Sequence, residues 1–246
     1  MRKFLSNILL AISICGVVLA SYQLYKIFHE YHQGTAIYDK LERNVKIVKN
    51  DEEKKIEAKV DLNIDFQYLL SVNKNCIGWI YIPDTPINYP IVQSTDNNYC
   101  LHYTFDGTKN FAGSIFVSDQ NNQFEDQNTI IYGHNMQNGT MFSTIKKYKN
   151  QEFLDAHPYI YIAKLNGTTE KYKVFSAYTT VDCSDAYTIQ FATDTFLSEI
   201  QQMIDYSEVK IQNLTISDED NIITLSTCTS RTELERFVVH AVKVST

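Results

Sequence analysis

The chain has 246 residues, 44% of them hydrophobic and 21% charged, enough for one ordinary domain with a sizeable core plus an extension. A net charge of −7, with no Lys/Arg stripe outside short helical patches, argues against a nucleic-acid partner. Seventeen tyrosines and thirteen phenylalanines point to β-rich structure, because aromatic side chains suit pleated, half-buried surfaces.

At the N-terminus, Arg2 and Lys3 precede an uncharged stretch from Phe4 to Tyr25, ended by Lys26. As a helix rising ~1.5 Å per residue, that stretch is long enough to cross a hydrocarbon core of about 30 Å. A cleaved leader carries a shorter apolar region and a small-x-small site, of which Val18-Leu19-Ala20 is a poor version. Residues 4–25 are therefore read as an uncleaved anchor. The charges in residues 1–3 favour a cytoplasmic N-terminus, with everything after the span outside the cell.

Residues 26–61 read as a helical stem or linker, charged and poor in Gly and Pro, with Leu41, Val45, Val48 and Ile56 near helical spacing. Its run Asp51-Glu52-Glu53-Lys54-Lys55 reads as a solvated face. The domain proper then occupies residues 62–246. Strands are expected over 77–82, 87–92, 113–118, 129–132, 159–165 and 168–178, each bounded by turn residues. Asn166-Gly167 signals a type I′ hairpin between the last two, since both residues tolerate positive φ. Residues 140–153 turn helical until Pro158 breaks the pattern. Residues 193–207 form an amphipathic helix, with Thr193 or Asp194 as cap and Phe196, Ile200, Met203 and Ile204 on one face. Two last strands flank a polar loop near the C-terminus. About eight strands with inserted helices suggest a closed or nearly closed β-barrel, as closure removes vulnerable edges.

Of five cysteines, Cys15 lies in the apolar span, and Cys76, Cys100 and Cys183 read as small buried or semi-buried apolar residues. Without CxxC or HExxH, no zinc site is expected. Cys228 differs. It ends the β-branched run from Asn221, and Arg236 opens the following run, Phe237-Val238-Val239. In a hairpin these two side chains can meet. Ile130-Ile131-Tyr132-Gly133-His134-Asn135 puts a histidine at the end of another apolar run. Thiolate chemistry uses a nearby histidine or positive charge, and acyl transfer needs donors aimed at an oxyanion. Singly these signals are weak, because a lone strand cysteine is ordinarily core and a histidine after glycine also shapes turns. Papain-like proteases carry cysteine before histidine, on a helix N-terminus; here the histidine comes first. The Gly-rich nucleophile turn of chymotrypsin-like enzymes is absent around Cys228.

Leu225-Ser226-Thr227-Cys228, Arg236-Phe237-Val238-Val239 and Tyr132-Gly133-His134-Asn135 together resemble the sortases, cysteine transpeptidases of Gram-positive bacteria. The resemblance runs from roughly Asp65 onward and includes the N-terminal anchor. Asp96-Asn97-Asn98-Tyr99 with Leu101-His102, Gly113-Ser114-Ile115-Phe116, the helical segment before the domain and the helix over 193–207 resemble class B. The resemblance implies an eight-stranded sortase barrel with inserted helices and an N-terminal helical segment. It implies Cys228 as nucleophile, His134 as general acid/base and Arg236 as the oxyanion and substrate-orienting residue. Asn97, Leu101, Tyr132, Ser226 and Thr227 are implied as substrate-groove residues. Arg231 competes for the arginine role, and Thr229 stands where some class B members carry an acid, so its role is unassigned.

The implied reaction cleaves a C-terminal sorting motif of secreted proteins at Thr–Gly through a Cys thioester. The acyl group then passes to an amine of a lipid-linked peptidoglycan precursor, with no cofactor. Two alternatives stay open: a pilin-polymerising sortase, and a non-catalytic membrane-anchored binding domain in which Cys228 is core.

Overall fold

The computed structural model of the chain describes residues 2–43, 45–49, 60–192, 194–211, 214–229, 232 and 234–244. Helix α1 (Arg2–Glu42) carries exposed apolar side chains over its first two thirds, Phe4, Leu10, Val18 and Phe28 among them. It is one helix long and apolar enough to cross a membrane. Its last turns differ. Tyr38 and Leu41 are buried, Tyr31 stacks edge-on against Phe111, and the Asn110 side-chain amide donates to the Glu30 carbonyl at 2.9 Å. That end of α1 is docked on the domain.

The expected helical stem is helix only through Glu42. Strand β1 (Val45–Lys49) follows and pairs antiparallel with β2 (Val60–Ile64), Ile47 opposite Leu62. Alternating Val45, Ile47 with Lys46 suits a strand, and β-branched side chains lose χ1 freedom in a helix. The charge run 51–55 and Ile56 lie outside the described residues.

After helix α2 (Phe66–Val72) comes the barrel. Its first four strands are β3 (Cys76–Tyr81), β4 (Asn88–Gln93), β5 (Ile115–Val117) and β6 (Asn128–Tyr132). The other four are β7 (Tyr159–Lys164), β8 (Thr169–Val181), β9 (Ile222–Cys228) and β10 (Glu235–Val244). They close in the order β10-β8-β7-β3-β4-β5-β6-β9, as the expected barrel requires. Helices α3 (Asn97–His102), α4 (Gln151–Ala156) and α5 (Phe196–Asp205) are inserted between strands. Fully buried Trp79, Ile80, Ile91, Ile115 and Leu225 belong to the core.

Local chemistry departs from expectation at three places. Only Gly167 has positive φ in the β7–β8 hairpin, and its N–H returns to the Lys164 carbonyl at 2.9 Å. The turn is therefore a type I turn closed by a left-handed glycine, not type I′. The helical stretch after Thr140 splits into a 3₁₀ segment (Ser143–Lys149) and α4, with the Asn150 side chain capping the Glu152 N–H. Helix α5 starts at Phe196 behind Thr195, which makes no side-chain cap bond, so Asp194 is not the cap; Thr193 lies outside the described residues.

Two pairs of barrel neighbours are parallel, β4 with β5 and β6 with β9. The second pair matters most. Tyr132 stands opposite Ser226, so the carboxyl ends of β6 and β9 emerge side by side at one mouth of the barrel. Whatever follows each strand is delivered to the same place.

Candidate active site

Two residues beyond that shared register lie His134 on one strand exit and Cys228 on the other. Cys228 is exposed as the last residue of β9, and its Cα partner on β10 is Arg236. Side chains of directly opposed residues project from the same face of the sheet, so the thiol and the guanidinium share one side. His134, Cys228 and Arg236 all line a groove of about 300 Å³, together with Asn97, Leu101, Tyr132, Ser226 and Thr227. These eight candidates read from the sequence are thus brought to one concavity. The groove also takes in Phe116, Gly133, Asp182 and Tyr187.

The histidine is held from both sides. Gly133 donates its N–H to the Ser226 carbonyl at 3.2 Å and accepts the Thr227 hydroxyl at 2.7 Å, while the His134 carbonyl accepts from the Phe142 N–H at 2.9 Å. The ring Nε2 lies 2.8 Å from the Leu101 carbonyl. A carbonyl only accepts, so Nε2 carries the proton and Nδ1 is the basic nitrogen of the neutral ring. Burial holds the His134 pKa below its ordinary value, partly opposed by the Leu101 hydrogen bond, with His102 adding to the depression.

Gly133 is glycine for a packing reason. A Cβ there would sit 2.5 Å from Ile115 Cδ1 and 2.7 Å from Phe142 Cγ, both fully buried. Gly133→Ala should cost about 1–3 kcal/mol as an overpacking change and shift the adjoining His134. A lowered urea midpoint together with lost peptide cleavage is the expected result.

Thr227 is buried and its hydroxyl is committed to Gly133, which makes it a pin for the histidine loop. Ser226 exchanges a hydrogen bond with the Tyr187 hydroxyl at 2.8 Å, and Tyr187 stacks on Tyr132 at 6.2 Å between ring centres. Burial pushes both phenols up in pKa, so they stay neutral donors. Tyr187 sits in the connection after β8, and its flanking carbonyls are clamped by one buried amide. Asn128 Nδ2 donates to Thr188 O at 2.9 Å and to Ala186 O at 3.4 Å, while its Oδ1 accepts the Thr224 hydroxyl at 2.8 Å. That hydroxyl's single proton is then used, so it accepts from His240 Nδ1 at 2.9 Å. Fully buried, His240 is pushed down to about 3 and stays neutral.

Asn97 exchanges side-chain bonds with Asp119, its amide donating to the carboxylate at 2.8 Å and its carbonyl accepting the Asp119 N–H at 2.9 Å. Arg236 donates through Nη1 to the Glu235 carbonyl at 3.2 Å and lies 3.3 Å from Asp182 Oδ2 through Nη2. Arg231 lies outside the described residues. Among the other cysteines, Cys76 and Cys100 are buried as expected, but Cys183 is exposed because it follows the end of β8 in an open turn. Nothing in the sequence marked Asp182 or Tyr187. Phe116 lay in a recognised strand, but a single sequence does not say which strand faces the groove.

Known proteins match over this whole region. The sequence profile of the Sortase domain covers residues 80–244. Listeria monocytogenes sortase B is 42% identical over 172 residues, 68% of each chain. Staphylococcus aureus sortase B is 28% identical over 235 residues, covering 93% of this chain and 91% of that one. The crystal structure of Bacillus anthracis sortase B in complex with AAEK1 superposes with a TM-score of 0.74 at 34% identity, covering 89% of this chain and 100% of that one. The family profile spans every residue that lines the groove, and with the sortase B relatives it shows that the chain belongs to the sortase family, as a class B cysteine transpeptidase.

Proposed function

We propose that this protein is held in the cell membrane by residues 4–25 and joins secreted proteins to the cell wall, using Cys228 as nucleophile, His134 as acid and base, and Arg236 as oxyanion donor. The observation that carries the reading is the register pairing of Cys228 with Arg236 beside a histidine delivered by the adjacent parallel strand.

The Cys228 thiolate attacks the scissile carbonyl of the sorting motif, at Thr–Gly or a similar bond. The oxyanion forms beside the Arg236 guanidinium, a permanent charge with several donors in a rigid fork. Collapse breaks the C–N bond, and protonated His134 gives its Nδ1 proton to the departing amine. The peptide is left on Cys228 as a thioester. An amine of a lipid-linked peptidoglycan precursor then attacks, His134 takes its proton, and the thiolate leaves as the new amide forms. Ser226, Tyr132, Tyr187, Leu101 and Asn97 form the walls along which the peptide lies.

Helix α1 supports the location. Its N-terminal part is apolar on all sides and exposed, which suits a lipid surround, and its last turns pack on the barrel. Arg2 and Lys3 favour a cytoplasmic N-terminus with residues 62–246 as the external catalytic domain. Tethering keeps the groove near emerging secreted proteins and lipid-linked precursor, raising local concentration without new contacts.

Mass spectrometry of a sorting-peptide library tests the reading. Cleavage within one pentapeptide family, with an added amine joined to the new C-terminus, is expected; hydrolysis at unrelated bonds contradicts it. The pH profile gives a second check. A histidine whose pKa is depressed titrates below its ordinary 6.5, so the acid limb of kcat/KM should lie below that value. An acid limb above it would assign the limb to another group.

A further inference from the structure

The carboxylate against Arg236 comes from outside every motif of the chain. Asp182 follows the last residue of β8, and its N–H donates to the Leu234 carbonyl at 3.0 Å, so the β8–β10 pairing runs one step past the strand ends. Arg236 is the Cα partner of Thr180, which makes Asp182 and Leu234 the next positions on that same face. Long side chains span such diagonals across a sheet. Asp182 Oδ2 accordingly reaches Arg236 Nη2 at 3.3 Å, and both line the groove. Thr229, which follows Cys228, directs its hydroxyl to the Glu235 carboxylate instead.

The pair is only half-buried, with side-chain exposures of 20% for Arg236 and 36% for Asp182. Ion pairs this open contribute little to folding. Their value lies in geometry. An arginine stem has four rotatable torsions, and an oxyanion donor must be aimed before the charge develops. The Glu235 carbonyl holds one terminal nitrogen and the Asp182 carboxylate the other, which fixes the plane of the fork.

We infer that Asp182 is a positioning residue for this reaction, anchoring the Arg236 guanidinium in its working orientation from the end of β8. The inference rests on the role proposed for Arg236. It also predicts that loss of the carboxylate harms the rate although it removes a counter-charge, because misaiming costs more than the added charge returns.

A double-mutant cycle on the full chain tests it, reading kcat and KM for sorting-peptide cleavage. Asp182→Asn should lower kcat/KM by roughly ten- to a hundredfold, mainly in kcat, the upper end being the scale of loss for a catalytic group misplaced by about 1 Å. Asp182→Glu should restore most of that, and the thermal midpoint should hold in both. In an Arg236→Ala background, Asp182→Asn should change the rate by less than about twofold, since the residue it acts through is gone. An equal loss in both backgrounds would mean that Asp182 acts on the peptide directly and would overturn the inference alone. No loss, or a gain, in the otherwise unaltered chain would overturn it too. Full activity in Arg236→Ala by itself would remove the reading of Arg236 and the inference with it.

Discussion

Cys228→Ala and Cys228→Ser should each reduce sorting-peptide cleavage on the order of 10⁴-fold or more, the scale seen when a nucleophile acting as part of a unit is removed. A methyl group has nothing to attack with. A serine hydroxyl in the same place ionises far less readily than a thiol, so it would be a poor nucleophile. The fold should be indifferent, because Cys228 is exposed at a strand end and its sulfur fills no core space. A surface change of this kind ordinarily moves stability by within about 0.5 kcal/mol. The other thiols are poor substitutes. Burial raises Cys76 and Cys100 to about 11 each, so neither presents a thiolate at neutral pH. Cys183 is exposed, so labelling experiments must map the modified residue and not merely count one. Replacing Cys76, Cys100 and Cys183 together should keep activity as long as the core tolerates it. Cleavage surviving in Cys228→Ala would remove the nucleophile assignment.

The second large effect belongs to Arg236. Arg236→Ala should lower turnover on the order of 10²-fold or more, the range for loss of one oxyanion donor. Its Cα is fixed by ladder pairing on both sides, to Cys228 on β9 and to Thr180 on β8. Arg236→Lys should rescue poorly, since one ammonium cannot reproduce a planar fork held at two nitrogens. Arg231, in the connection between β9 and β10, should tolerate alanine within a few-fold. A steady-state peptide-cleavage assay decides between them. The reverse ranking would move the oxyanion role to Arg231.

Much of this site could be read from the chain because its parts are local. The Cys228 and Arg236 runs are sequence neighbours joined by a short polar loop, so a hairpin brings them together almost by necessity. The eight barrel strands were legible for a similar reason: β-branched and aromatic runs stop at turn residues. Part of the groove wall was not. Tyr187 and Asp182 follow β8 and owe their positions to contacts from distant strands. The Asn128 amide reaches the carbonyls of 186 and 188, and Arg236 reaches back to Asp182. The parallel pairing of β6 with β9 joins residues such as Ile131 and Leu225, far apart in sequence, and no local pattern encodes it. The stem misled because a few apolar residues at 41, 45 and 48 fit a helix as well as a strand. Only pairing with β2 settles such a segment. Asn166-Gly167 misled in turn type alone, since Asn tolerates positive φ without requiring it.

If the peptide passes through a thioester on Cys228, that species can be trapped. The protein is mixed with a sorting peptide without an acceptor amine, quenched in acid, and examined by intact mass and then by peptide mapping. The expected result is an added mass equal to the N-terminal cleavage fragment, located on Cys228 and discharged to a new amide when an amine is supplied. Turnover with no adduct, or an adduct mapped to any other residue, would contradict it.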